Sequence, residues 1–102
     1  MIRKRVHFWE CMARELGYKI LTLGIDWMHC QVKNNVCVII KREKHTNLFV
    51  VHVEIMAGET DEDFERYYYG LHSRENLKED IEKFIKGREE DIKLRKATER
   101  SS

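Results

Sequence analysis

A chain of 102 residues with 42% hydrophobic and 36% charged residues and no proline has room for one core and not for two. Its net charge is only +1. It has no apolar run of the roughly 18 residues that a membrane span needs, and "MIRKRVHFWECMARELG" at the amino terminus lacks the layout of a secretory signal, so a cytoplasmic protein with no membrane partner is expected.

Residues 2 to 16 place Ile2, Val6, Trp9, Ala13 and Leu16 on one helical stripe, which Phe8 and Met12 widen. Gly17 supplies the left-handed residue that ends such a helix, and Tyr18 can pack back on the last turn. From Tyr18 to Ala57 the period drops to two: "YKILTLG", "WMHCQVK", "VCVIIKRE" and "LFVVHVEIM" are rich in β-branched and aromatic residues. The links "ID", "NN" and "KHTN" are too short for a parallel crossover, so the strands form an antiparallel meander. Asn34 and Asn35 tolerate positive φ and suit a two-residue turn. "FERYYYG", residues 64–70, reads as a fifth strand returning beside the fourth, with a short helix capped by Thr60 as the competing assignment. Ser73 stands where a second helix would be capped, and Leu77, Ile81, Phe84, Ile85 and Ile92 fall at helical spacing behind it. Past Gly87 the apolar stripe thins, and Glu89 with Lys93 and Asp91 with Arg95 form i,i+4 pairs that carry the helix toward solvent. The expectation is an α+β fold: an N-terminal helix, a four- or five-stranded antiparallel meander sheet and a long C-terminal helix. Residues 1–97 are read as one domain and 98–102 as a frayed tail.

Two helices can cover one face of such a sheet and leave the other to solvent or to a partner. The third strand is apolar on both sides, with Val36, Val38 and Ile40 opposed to Cys37 and Ile39. The fourth sets Leu48 and Val50 against Phe49, Val51, Val53 and Ile55. Central strands of this kind predict that something covers the second face, either a second copy in a homodimer or a target protein. In the tyrosine run, Tyr67 and Tyr69 share a face while Tyr68 takes the other. The chain is therefore read as a small non-enzymatic protein–protein interaction module. Its contact residues are drawn from Trp27, Phe49, Val51, Val53, Tyr67, Tyr68 and Tyr69. In size, charge density and lack of proline it resembles small phage-encoded inhibitors of host machinery, which implies docking on a host protein, a defence protein among the possible targets.

Other constellations point less far. Cys11, Cys30 and Cys37 are an odd number, which argues against a disulfide framework and for buried thiols. His7 with Cys11 and His29 with Cys30 outline a zinc tetrad, but paired C-x2-C knuckles are missing, and neither a metal nor another cofactor is expected. His52 and Glu54 share a strand face, a pairing able to serve as a general base, without a nucleophile or a phosphate loop beside it. Glu59, Asp61, Asp63 and Glu65 alternate like calcium ligands yet lack the glycine and terminal glutamate of an EF-hand, so a solvated hairpin tip is expected. The alternative partner is nucleic acid. Residues 1–44 hold nine basic and four acidic side chains, against ten and fourteen in the remainder. Arg3, Lys4, Arg5, Lys41, Arg42 and Lys44, with His45, are the candidate phosphate contacts. The element order is similar to that of double-stranded-RNA-binding domains, although the chain has neither a G-P-x-H loop nor a K-K-x-x-K cluster, and residues 73–83 hold more acids than bases.

Overall fold

The computed structural model describes residues 2–56 and 64–101, without the side chains of residues 2–5, 64 and 99–101. Helix α1 (Ile2–Leu16) leads into strands β1 (Lys19–Leu23), β2 (Trp27–Lys33), β3 (Val36–Arg42), β4 (Phe49–Met56) and β5 (Phe64–His72), and helix α2 (Leu77–Ser101) closes the chain. The strands form one antiparallel sheet in the order β1-β2-β3-β4-β5, so β3 is its middle strand. The α+β meander expected from the sequence is the fold. Residues 64–70 belong to a strand rather than a helix; the hairpin tip, including Thr60 and the acids Glu59, Asp61 and Asp63, lies outside the described residues.

Each boundary has a local cause. Gly17 has φ of 78°, and the amides of Gly17 and Tyr18 both bond the Ala13 carbonyl, at 2.8 and 3.0 Å, which closes the last turn of α1. The β1–β2 turn closes with the Gly24 amide on the Trp27 carbonyl at 3.0 Å. Gly24 is needed there because the Trp27 indole lies on it: a Cβ would fall 2.0 Å from the ring. The β2–β3 turn does pass through Asn34 and Asn35, but neither has positive φ; among the described residues only Asn47 does so outside glycine. The hairpin twist is taken up instead by a register irregularity between Gln31 and Lys33. Asn47, at φ 57°, turns the β3–β4 link, where the Leu48 amide bonds Thr46 Oγ1.

The start of α2 corrects the sequence reading. Ser73 is not its cap: β5 runs on to His72, and the first helical bond joins the Asp80 amide to the Asn76 carbonyl at 2.9 Å. Gly70, at φ 45°, forms a bulge where Val50 and Val51 face Leu71 and Tyr69, and the strand runs on three residues past the tyrosines to His72. His72 then fastens the corner, with Nδ1 2.9 Å from Asp80 Oδ2 and Nε2 2.6 Å from the Tyr69 carbonyl. The ion pairs also differ from expectation. Glu89 bonds Lys33 across the molecule at 2.5 Å and Arg95 bonds Glu65 at 2.6 Å, where local pairing with Lys93 and Asp91 was expected. Glu89 and Arg95 lie three residues before and after the core residue Ile92, within reach of β2 and β5, so tertiary partners displace the helical ones.

The helices lie on the same side of the sheet. Trp9, Met12, Ala13 and Leu16 of α1 and Leu77, Ile81, Ile85 and Ile92 of α2 form one core with Met28, Cys30, Val36, Val38, Ile40, Phe49, Val51, Val53 and Ile55. All are 8% exposed or less, and among the described residues no polar or charged one is fully buried with them. Burying side chains of this size stabilises the fold by about 1.5–3 kcal/mol each before chain entropy is counted. At 25 residues α2 spans roughly 37 Å at 1.5 Å per residue and outruns the sheet, which makes the molecule 56 Å long and 24 by 20 Å across. Among the described residues no helix is long and apolar enough to cross a membrane.

Candidate interaction surface

The residues that alternate with the core project from the other face of the sheet, and neither helix covers them. Strand register arranges them in three rungs. The first holds Trp27, Lys41, Val50 and Leu71; the second holds Thr22, His29, Ile39, His52 and Tyr68; the third holds Lys19, Gln31, Cys37, Glu54 and Arg66. Tyr68 is 64% exposed and Leu71 49%, while Trp27, Ile39, Val50 and Met56 are half-buried by their neighbours on the sheet. A shallow concavity of about 570 Å³ lies over the second and third rungs.

Glu54 organises the polar part. Its Oε1 lies 3.2 Å from His29 Nε2 on β2 and its Oε2 3.2 Å from Arg66 Nε on β5, so one carboxylate bridges three of the five strands. The His29 contact is an ion pair when the ring is protonated, without the alignment of a hydrogen bond. Cys37 faces Glu54 across the β3–β4 ladder; burial and then the Glu54 charge push its thiol up. Beside them His52 meets Tyr68 edge to face, with ring centroids 5.4 Å apart.

The residues picked from sequence divide between the two faces. Trp27 and Tyr68 are on the open face. Phe49, Val51 and Val53, at 3%, 0% and 0% exposure, are core residues under the helices and present no surface to a partner, which corrects their assignment as contacts. Tyr67 and Tyr69 are half-buried on the helix side, where Phe84 packs against Tyr67 at 5.7 Å and stacks on Tyr69 at 4.2 Å. The Tyr67 hydroxyl donates to Glu65, and Arg88 sits over the Tyr67 ring. Two of the three adjacent tyrosines thus roof the core edge, and Tyr68 alone faces out.

Of the basic set, Lys41 and Arg42 point to opposite faces of the sheet. Lys41 is on the open face, Arg42 lies over the Phe8 ring on the helix side at 5.0 Å, and Lys44 is in the β3–β4 link. Arg3, Lys4 and Arg5 are in the first turns of α1, with side chains outside the described residues. His52 and Glu54 do share the open face, but the partners of the carboxylate are His29 and Arg66. Neither do the sketched zinc ligands converge: His7 lies 3.5 Å from Cys11 on α1, whereas His29 projects outward and Cys30 into the core. All three cysteines are free, and of the expected buried thiols only Cys30 is fully buried, its thiol pushed up to about 11 mainly by burial. Of the open-face residues missing from the sequence expectation, Val50 and Arg66 carried a usable signal, since each has the opposite strand parity to a helix-side neighbour, whereas alternation groups Leu71 with Tyr67 and Tyr69 and only the bulge at Gly70 turns it outward. No family model matches this chain, and no curated protein or solved structure gives a significant match.

Proposed function

We propose that this chain is a non-enzymatic interaction module whose working surface is the open face of the sheet, and that its partner is a protein. The observation that supports this most directly is the exposure of Tyr68 and Leu71 beside half-buried Ile39 and Val50 on a face that neither helix covers. Trp, Tyr and Arg dominate the binding energy of protein interfaces, and Trp27, Tyr68 and Arg66 stand around an aliphatic centre in the manner of such a patch. A binding role suits the polar groups as well. Glu54 is engaged by His29 and Arg66, and a thiol raised above its ordinary range, as in Cys37, is a poor nucleophile at neutral pH.

Site-specific photo-crosslinking tests the reading. A benzophenone amino acid replaces Tyr68 in one variant and Lys86, exposed on α2, in another, and both are irradiated in the cells of origin. The expected result is a discrete protein adduct through position 68 and none through 86. Adducts through 86 alone, or none through 68, would remove the open face as the working surface.

A further inference from the structure

The charges on the open face give the proposed partner a chemical character, an inference that rests on that face being the working surface. Among the described residues of the three rungs, three cations, Lys19, Lys41 and Arg66, project against one acid, Glu54, and the two oxygens of Glu54 already face His29 and Arg66. Lys19 and Lys41 have no ion-pair partner among the described residues, and the Arg66 side chain is 80% exposed with only its Nε on Glu54. The cations surround the apolar centre. Arg66 and Lys19 stand at opposite edges of the third rung, and Lys41 stands on the middle strand in the first.

We infer that the partner surface is apolar at its centre and acidic at its rim, and that it belongs to a different protein and not to a second copy of this chain. A two-fold pairing of the three rungs with themselves would set three cations against three, with the two engaged Glu54 carboxylates as the acids of the described rungs, and like charges placed opposite each other across an interface disfavour it. Aspartate and glutamate on the partner instead meet the free Lys41 ammonium and the open side of the Arg66 guanidinium, which is shaped to hold a carboxylate through two N–H groups. Nucleic acid would also bring anions. The aliphatic share of the patch, Ile39, Val50 and Leu71, favours a protein, because single strands bind mainly through bases stacked on aromatic rings. The sheet face has a planar extent on the order of 500 Å², from strands about 4.8 Å apart and rungs about 7 Å apart. That is below the roughly 800 Å² per partner of a standard complex, so the rim charges have a large share in speeding encounter and setting specificity.

The test selects peptides of about twelve residues from a random displayed library on the full-length folded chain. The expected peptides combine Asp or Glu with aromatic or aliphatic residues, and their amide shift changes map to the three rungs. A selected peptide should lose about tenfold or more in affinity to the double change Lys41→Glu with Arg66→Glu, and less than about twofold to Lys86→Glu on α2. Circular dichroism first establishes that each variant is folded. Peptides that map to the rungs without acidic enrichment, and bind the charge-reversed protein equally well, overturn the inference and leave the open face standing as the docking surface. Peptides that map elsewhere overturn both. A labelled oligothymidylate that binds the rungs and is lost on charge reversal, or a dimer abolished by Tyr68→Thr, overturns the choice of partner.

Discussion

The two faces of the sheet are built by alternate residues of the same strands, yet they have opposite fates. On the helix side Val36, Val38, Ile40, Val51 and Val53 are all 0% exposed, and among the described residues no polar or charged one is fully buried with them. On the other side their immediate neighbours Cys37, Ile39, Val50 and His52 are only half-buried, and a carboxylate, two imidazoles and a guanidinium are interleaved with them. Strand period alone places the side chains; what separates the faces is that two amphipathic helices suffice to cover one layer. The difference teaches that the sealed face carries stability and the open face is at liberty to carry recognition.

The sharpest way to break this comparison is a pair of neighbouring substitutions that preserve strand propensity. Ile40→Thr places a hydroxyl in the core and should cost about 2–4 kcal/mol in chemical denaturation, whereas Ile39→Thr should cost less than about 1 kcal/mol. Equal costs would mean that the two faces are not distinct. The next effect concerns the corner that closes the sealed side. His72→Ala removes the contacts to Asp80 and to the Tyr69 carbonyl, together with a ring packed 4.3 Å from Tyr69, and should cost about 1–3 kcal/mol by thermal unfolding.

A smaller effect depends on pH. The hydrogen bond from Tyr67, followed by Arg95, holds the Glu65 carboxyl below its ordinary range. Because the folded-state value is depressed, Glu65 contributes stability above the ordinary carboxylate range and loses it as pH falls through the lowered value. Glu65→Gln should therefore destabilise the protein near neutrality, and that difference should vanish in acid when unfolding is followed across the acidic range. The smallest effect on stability belongs to an exposed residue of the proposed docking surface: Tyr68→Thr should change unfolding free energy by no more than about 0.5 kcal/mol.

Much of the fold was legible because its signals were local and agreed with one another. The Trp9, Met12, Ala13 and Leu16 stripe, the left-handed Gly17 and the short links all specify helix, meander and helix without reference to distant residues. What was not legible depends on tertiary choices. Asn76 rather than Ser73 caps α2 because the bulge at Gly70 prolongs β5, and Glu89 and Arg95 leave their helical neighbours because Lys33 and Glu65 come within reach across the fold. The site was legible in parity but not in content. Alternation separates Tyr68 from Tyr67 and Tyr69, yet apolar character singles out Phe49, Val51 and Val53 as contacts although it is the core that claims such residues first. The bridge from His29 through Glu54 to Arg66 joins residues 25 and 12 positions apart, and only strand register reveals it.

The most direct measurement uses the methyl groups of Ile39 and Ile40, adjacent in sequence and opposed in space. With a soluble gadolinium chelate added to the free protein, the Ile39 methyl signals should relax strongly and those of Ile40 hardly at all, and a bound acidic peptide should shield Ile39. Equal relaxation of the two residues, or an Ile39 already shielded in the dilute free chain, would contradict the account.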